Sequence, residues 1–162
     1  MKVIILNGSP KTHGNTATAL HEVERTLQKQ GIETEWIHVG HLQIHGCIAC
    51  NKCWKTGICA FNDIVNEMGA SVSIARRGGA TTTMDVLNKY FLKTNMPVVP
   101  SQYWSIAHGT APGEVVRDEE GMQTMRQLGL NMAFMMKSIR LGLQLFGSPK
   151  IQEELVETHY IR

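Results

Sequence analysis

The sequence predicts an α/β protein with a parallel sheet, and three observations support this fold class. A short apolar run rich in β-branched residues at 2–6 is followed by a helical pattern and then by an alternating segment, all within forty residues. A strand, a helix and a strand in this order indicate parallel strands joined by a right-handed crossover. A second strand-like run at 70–75 is again followed by helical spacing. At 162 residues, the chain suits one domain with enough length to bury a core.

The composition restricts the classes of partner and the compartment. The chain is 43% hydrophobic and 19% charged, with a net charge of only +2. This balance gives no reason to expect nucleic acid or a membrane surface as a partner. The N-terminal apolar run stops at Asn7, which is too early for a secretory signal or a membrane span. We therefore expect a cytoplasmic protein, whose reducing surroundings favour metal or redox chemistry over disulfides for its four cysteines.

The first βαβ unit has clear boundaries in the sequence. The helical spacing predicts a helix over residues 15–30, with Asn15 as its N-cap and Gly31 as a left-handed residue at its end. Residues 32–39 predict the second strand. The helix is expected to bury Leu20, Val23 and Leu27, and one side of the strand is expected to present Ile32, Thr34, Trp36 and His38.

The middle of the chain is less regular. Residues 40–61 have no periodic pattern and contain all four cysteines, and residues 62–68 suit two turns of helix. The strand predicted at 70–75 ends in Arg-Arg-Gly-Gly, and a helix is predicted over 81–94. The inner face of that helix is expected to comprise Met84, Leu87, Tyr90 and Phe91.

The last third predicts one short strand and one long helix. Residues 96–100 suit a strand at an edge because they include two prolines, and residues 101–117 read as a polar loop. A helix is predicted over about 118–143, with acidic residues in its first turn, where they suit the helix dipole. Gly147 and Pro149 are expected to end it. Its apolar line is Met122, Met125, Leu128, Met132, Met136, Ile139 and Leu143.

The loop at 7–16 is the first candidate for a binding site. It follows the first strand, is rich in glycine and hydroxyl residues, and opens the first helix. The first N–H groups of a helix have no internal partner and lie at the positive end of the helix dipole, so a phosphate group is the natural ligand. An ordinary strand–turn–helix connection is the alternative, since the same residue types are common in turns.

The cysteines form the sharpest pattern in the sequence. Cys47, Cys50, Cys53 and Cys59 have the spacing C-x2-C-x2-C-x5-C. This compact spacing favours a cubane iron–sulfur cluster, whereas structural zinc usually takes two well-separated C-x2-C pairs. Zinc, or cysteines that bind no metal, are the two alternatives. His38, His41 and His45 lie just upstream, but four thiolates already complete a site.

Several motifs together resemble a known family. Asn7-Gly8-Ser9-Pro10 with Gly14-Asn15-Thr16, followed by Cys-x-x-Cys, resembles the NADPH-dependent FMN reductase family of flavodoxin-like proteins. The four-cysteine loop is similar to that of the family's iron–sulfur flavoprotein branch. The segments Ala-Arg-Arg-Gly-Gly, Ser-Gln-Tyr-Trp and Asp-Glu-Glu-Gly occur here in the order in which those proteins have them.

The resemblance implies a flavodoxin-like, doubly wound parallel sheet with FMN at the carboxyl ends of its strands. Residues 1–143 would form the FMN-binding domain, with its cysteine loop at 47–59, and residues 144–162 a C-terminal tail. By matching position, the FMN phosphate would be held by Ser9, Lys11, Asn15 and Thr16. The isoalloxazine ring would lie along Arg76, Gly78 and Gly79. The cluster, a 4Fe-4S centre, would be ligated by Cys47, Cys50, Cys53 and Cys59.

One departure from the family pattern is large. The family has a further strand and helix after the segment that ends near Met68, whereas this chain passes directly into the strand at 70–75. Roughly 45–50 residues, the size of one βαβ unit and its loops, are missing. Either the sequence omits a stretch, or the 70–75 strand moves beside the first strand. In a flavodoxin-like order the lost strand is central, and an empty place would leave two rows of unpaired backbone groups.

The resemblance implies an FMN-dependent oxidoreductase or electron-transfer flavoprotein. It would move electrons between NAD(P)H or ferredoxin and a small acceptor such as a quinone. A plain NAD(P)H:FMN or quinone reductase without a metal cluster, and a non-enzymatic electron carrier stapled by metal, are the alternatives. A homodimer or homotetramer is expected, because the last helix and tail have apolar residues to spare: Leu141, Leu143, Leu145 and Phe146.

Overall fold

The computed structural model describes residues 1–40, 68–93 and 96–147, and the structural statements below concern these residues. The predicted cysteine loop at 47–59, nearly all of the short helix at 62–68 and the tail after residue 147 lie outside them. The described elements, in chain order, are strand β1 (Lys2–Asn7), helix α1 (Asn15–Lys29), strand β2 (Glu33–His38), strand β3 (Ser73–Ala75), helix α2 (Ala80–Lys93), strand β4 (Ile106–His108), a 3-10 helix (Glu114–Arg117) and helix α3 (Glu119–Phe146).

All four described strands pair in parallel. β1 pairs with β2 in a register that places Lys2 opposite Glu33. β3 pairs with β4, with Ser73 opposite Ile106, and an isolated bridge joins Gly69 to Val98 upstream of that pair. The mixed α/β class with parallel strands is therefore confirmed, whereas the doubly wound order stays a prediction. Within the described residues β1 and β3 do not pair, so the strands form two separate two-stranded sheets.

Helices α1 and α3 pack against each other and bury most of the core. Leu27 of α1 and Met125 and Leu128 of α3 are almost completely removed from solvent. The predicted strand face of β2 also turns towards α1, because the indole Nε1 of Trp36 donates to the carboxylate of Glu24 at 2.7 Å. Gly31 is left-handed at the end of α1, as predicted, with a φ of 75°.

Helix α3 follows its predicted apolar line through most of its length. The methionine and leucine side chains of that line are buried from Met122 to Met136, and Ile139 is half-buried. Asp118 caps the helix, since its Oδ1 accepts from the backbone N–H of Gly121 at 2.9 Å. The helix ends at Phe146, and its C-cap residue Gly147 has a φ of 73°. Leu143 is exposed, so the buried part of the predicted apolar line ends before this residue, although the helix continues to Phe146. None of the described helices, α3 included, combines the length and apolar character that crossing a membrane requires.

The predicted strand at 96–100 is wrong. Only Val98 forms a bridge there, because Pro97 and Pro100 have no N–H group to donate to a neighbouring strand. The strand that pairs with β3 is β4, which lies inside the stretch predicted to be a polar loop. Its formation depends on the partner edge of β3 and not on its own three residues, Ile-Ala-His.

The predicted inner face of α2 is only partly correct. Met84 is buried, and Ser71 binds the same helix through its hydroxyl, 2.6 Å from Asn88 Oδ1. Leu87 is 40% exposed and Tyr90 68% exposed, so these two predicted core positions are wrong. Helical spacing identified an apolar side of α2, but the described residues cover only the part of it around Met84.

Candidate functional site

The loops that follow the four described strands lie together at one edge of the molecule. Gly40 follows β2, and a Cβ atom added there would lie 2.0 Å from the carbonyl oxygen of Ser9, in the loop after β1. Gly109 follows β4, and a Cβ there would lie 2.7 Å from the Asn15 Nδ2 atom at the start of α1. Gly109 also donates to the Ala75 carbonyl at the end of β3, at 3.2 Å. The carboxyl ends of parallel strands are where ligands bind in open α/β sheets.

Short-range hydrogen bonds fold the loop after β1. The buried Asn7 accepts through Oδ1 from the backbone N–H of Ser9 at 3.0 Å. The Ser9 hydroxyl accepts from the N–H of Lys11 at 3.2 Å, and the N–H of Gly14 donates to the Lys11 carbonyl at 3.4 Å. The result is a compact turn whose Lys11 side chain is exposed at the start of α1.

The prediction that Asn15 caps α1 is wrong. Gly14 occupies the N-cap position in extended backbone conformation, and no side chain caps the helix. Asn15 is the first helical residue, and its Oδ1 accepts from the N–H of Val115 at 3.2 Å, which ties α1 to the 3-10 helix. In the described structure, the backbone N–H groups of residues 15–17 therefore have no partner at the positive end of α1. This arrangement can bind an anion.

The turn between β3 and α2 supplies further positive charge to this edge. Arg76 and Arg77 are exposed and form no ion pair with any carboxylate in the described parts of the chain. Gly78 and Gly79 follow them, and Gly79 is left-handed with a φ of 88°. No atom of the described structure lies within 4 Å of a Cβ built at either glycine, so a ligand could approach this backbone closely.

The acidic residues at the same edge hold the loop after β4. The Oε2 atom of Glu114 accepts from the N–H groups of Ala111 and Thr110, both at 2.8 Å. These two donors, together with Arg117, hold the pKa of Glu114 below its ordinary value. Asp118 accepts through Oδ2 from the N–H of His108 at 2.7 Å. Both carboxylates thus have structural partners, although they lie near the site.

The structure brings together most of the predicted site residues that it describes. Ser9, Lys11, Asn15 and Thr16 lie at the loop and first turn of α1, and Arg76, Gly78 and Gly79 follow β3. Sequence reasoning missed Gly40 and the segment after β4. Gly40 could have been found from its place directly after a parallel strand, whereas the contact of Asn15 with Val115 spans a hundred residues and has no local signal. The four cysteines lie outside the described residues.

The N-terminal part of the chain is similar to a known protein family. Residues 1–73, which include β1, α1, β2 and the loops after both strands, match the model of the NADPH-dependent FMN reductase family. The resemblance predicted from the sequence motifs is confirmed by this match and by the similarity of most of the chain to an archaeal iron–sulfur flavoprotein.

Two curated relatives share a description. An iron–sulfur flavoprotein of Methanocaldococcus jannaschii is 28% identical over 192 aligned positions, which cover 86% of this chain and all of the relative. An iron–sulfur flavoprotein of Archaeoglobus fulgidus is 31% identical over 68 positions, which cover 42% of this chain and 31% of the relative. No solved structure matches the chain.

The longer of these alignments also measures a difference in length. It spans 192 positions, whereas 86% of this chain is about 139 residues. About 53 positions of the Methanocaldococcus protein therefore have no counterpart in this chain. That surplus is close to the size of one strand–helix unit with its loops.

Proposed function

We propose that this chain is an FMN-dependent oxidoreductase whose cofactor binds at the edge formed by the loops after the strands. The observation that carries this proposal is the uncapped N-terminus of α1, which lies within the segment that matches the FMN reductase family. An open helix N-terminus beside an exposed lysine suits the phosphate end of FMN.

The phosphate end would use four residues in different ways. The N–H groups of the first turn, including that of Thr16, would donate to the phosphate oxygens, and Lys11 would add a positive charge. The Ser9 hydroxyl already accepts from the Lys11 N–H and keeps its own proton to donate. Asn15 uses its Oδ1 for Val115 and keeps the Nδ2 group as a donor.

The ring end would use the turn after β3. Arg76, Gly78 and Gly79 are exposed there, and the two glycines leave room for a flat ring system against the backbone. When bound, FMN accepts a hydride and releases electrons singly, so it connects two-electron donors with one-electron carriers. The part of this chain is to bind, orient and shield the cofactor.

The cluster is the second half of the proposal. Cys47, Cys50, Cys53 and Cys59 would hold a 4Fe-4S centre, an assignment supported by their spacing and by the description of both archaeal relatives. Electrons would then pass between NAD(P)H or ferredoxin and a small acceptor or redox protein. Anaerobic purification with visible spectroscopy tests this part. Flavin absorption without iron–sulfur absorption after reconstitution would refute the cluster alone.

The family description favours a second candidate, a plain NAD(P)H:FMN or quinone reductase in which the cysteines bind no metal. Replacing all four cysteines by serine separates the two candidates. NAD(P)H oxidation that is unchanged in this variant would support the plain reductase. Stoichiometric zinc without colour, or reduction by ferredoxin but by neither nicotinamide, would instead support a non-enzymatic metal-stapled module.

A matched pair of lysine variants tests the phosphate site. Lys11→Met removes the exposed charge beside the start of α1, and Lys29→Met removes one at the other end of the same helix. We expect Lys11→Met to weaken FMN binding by about 10- to 100-fold, since a hydrogen bond to a charged group contributes about 1.5–3 kcal/mol. Lys29→Met should leave the affinity unchanged. Equal affinities for the two variants in a fluorescence titration would refute the phosphate site.

We also propose that the chain self-associates through the end of α3. The last turns of α3 expose Leu141, Leu145 and Phe146, which are 55%, 66% and 87% accessible. We expect these side chains to be buried against a second copy in a homodimer or homotetramer. Light scattering on the purified chain and on a Leu145→Ser/Phe146→Ser variant measures this, and an unchanged mass would refute the role of these residues.

A further inference from the structure

A cavity of about 560 Å³ is lined by side chains of α1, the 3-10 helix and the first turns of α3. Cavities that bind small molecules commonly measure about 300–1,000 Å³. None of the residues that line this cavity belongs to the proposed FMN site. Arg25, one of them, lies ten residues beyond Asn15 on α1, which is about 15 Å along the helix axis. The cavity is therefore distinct from the candidate cofactor site.

The wall of the cavity contains a carboxylate that lies between two guanidinium groups. The Oε2 atom of Glu22 is 2.9 Å from Nη1 of Arg25 on the same helix. Its Oε1 atom is 3.2 Å from Nη1 of Arg126 on α3. The Glu22 side chain is only 9% exposed, whereas those of Arg25 and Arg126 are 63% and 49% exposed. Burying a carboxylate is costly unless it is paired, so Glu22 fixes both guanidinium groups at the cavity.

These three side chains have a surplus of positive charge. Two guanidinium groups and one carboxylate leave a net charge of +1. In the described parts of the chain, neither Arg25 nor Arg126 pairs with a carboxylate other than Glu22. Each guanidinium group has five N–H donors and uses those of Nη1 for Glu22, so further donors remain for a ligand. The surplus favours a ligand that carries one negative charge.

Glu22 also lowers the entropic cost of binding such a ligand. A free arginine side chain has many rotamers, and a ligand that must order it loses affinity. Here both arginines are already held by Glu22, which is anchored on α1 and almost completely buried. A planar guanidinium group binds a carboxylate through two parallel hydrogen bonds, so the held pair suits a carboxylate ligand.

The rest of the described lining is largely apolar. Met122 is buried in the wall, and Val116 is 56% exposed beside it. The ring of His21 also lines the cavity and is held in place, since its centroid is 4.3 Å from that of Trp36 and its Nδ1 atom is 2.8 Å from Glu24 Oε2. A ligand with an apolar body would remove the exposed surface of Val116 from water, which is favourable.

We infer that this cavity binds a small organic anion that has one carboxylate on an apolar body. The carboxylate would accept hydrogen bonds from Arg25 and Arg126, and the apolar body would lie along Val116 and Met122. A carboxylate carries one negative charge and matches the surplus of +1, whereas a phosphate monoester carries about 1.5–2 negative charges at pH 7. We call the cavity lined by these four residues, Glu22 and His21 the α1–α3 anion site.

Calorimetric titration of the full chain tests the α1–α3 anion site. The probe is 2-naphthoate, and its control is 2-naphthamide, which has a similar shape without the charge. We expect naphthoate to bind at one site and at least about tenfold more tightly than the amide. Because FMN is proposed to bind elsewhere, saturating FMN should not change this affinity. In amide NMR spectra, the shifts that naphthoate causes should fall in residues 18–25 and 116–126.

Arginine variants test which side chains bind the probe. Arg25→Gln and Arg126→Gln should each weaken naphthoate binding by about tenfold or more. Arg140→Gln is the matched control, because Arg140 is exposed on α3 and does not line the cavity. Arg126→Gln also removes a contact between α1 and α3, whereas Arg25→Gln removes only a surface pair within α1 and keeps the fold. Arg126→Lys, which keeps the charge without the planar fork, should restore only part of the affinity.

Four outcomes would overturn the inference. Equal affinities for naphthoate and naphthamide, or binding of neither, would show that the cavity does not select an anion. Equal affinities in Arg25→Gln and Arg140→Gln would leave the arginines with a structural role alone. Displacement of naphthoate by FMN would place the probe in the cofactor site. Tighter binding of 2-naphthyl phosphate than of 2-naphthoate would contradict the choice of a carboxylate.

Discussion

The contact between α1 and α3 gives the sharpest test of the described packing. Gly129 lies where the two helices approach, and a Cβ there would lie 2.8 Å from the Cβ of Thr26 and 3.1 Å from the Val23 carbonyl oxygen. Favourable carbon–carbon contacts begin near 3.5 Å. Because a Cβ atom and a backbone atom cannot rotate away, Gly129→Ala must push the helices apart.

The expected magnitude follows from two opposing terms. Alanine is favoured over glycine inside a helix by about 1 kcal/mol, and overpacking a tight core costs about 1–3 kcal/mol. Gly129→Ala should therefore lower the free energy of unfolding by up to about 2 kcal/mol. Gly142 lies on the same helix with no atom within 4 Å of its added Cβ, so Gly142→Ala should raise that free energy by up to about 1 kcal/mol.

Urea unfolding followed by far-UV circular dichroism measures both variants against the unchanged chain. The slope of the transition must stay constant for the two free energies to be compared. If Gly129→Ala is as stabilising as Gly142→Ala, the close approach of α1 and α3 is wrong, and so is the core that depends on it.

Three further predictions concern the loops and the surface of α1. Gly40→Ala places a Cβ 2.0 Å from the Ser9 carbonyl oxygen and should weaken FMN binding by about tenfold. A Cβ added at Gly8 has no atom within 4 Å, so Gly8→Ala should leave the stability of the cofactor-free chain, measured by calorimetry, unchanged. Hydrogen bonds from His21, Trp36 and Thr34 lower the pKa of Glu24 despite its desolvation, so its contribution is present above about pH 4.5 and lost below it. The stability difference between the unchanged chain and Glu24→Gln should shrink as the pH falls from 6 to 3, and a constant difference would contradict this. Asp118→Ala removes the cap of α3 and should cost about 1 kcal/mol in urea unfolding; an unchanged midpoint would show that the cap contributes nothing.

Much of the fold follows from local patterns in the sequence. β1, α1, β2 and α3 were predicted within a few residues of their ends, because each has an apolar pattern of one period and a recognisable stop. The same reasoning failed for β4, whose three residues form a strand only because β3 offers them a partner. It also failed for Leu87 and Tyr90, since helical spacing shows which residues share a face but not whether another element covers that face.

The candidate site divides in the same way. The loop after β1 was predicted from its glycine and hydroxyl residues directly before a helix, and the residues predicted there lie together. The role of Asn15 did not follow from its sequence neighbours. An asparagine before an apolar helix favours a cap, yet its carboxamide is held by Val115, one hundred residues away.

The sequence by itself determined the parallel α/β class, the place of the glycine- and hydroxyl-rich loop before α1 and the resemblance to the FMN reductase family, because these depend on short motifs and on periodicity. Only the tertiary structure decided that α1 begins without a side-chain cap, that Gly40 lies against the Ser9 carbonyl, and that the described strands form two separate two-stranded sheets. The reason is physical. Hydrogen bonds between strands and contacts between loops join residues that are distant along the chain, and no local pattern specifies which distant partner a backbone group will meet.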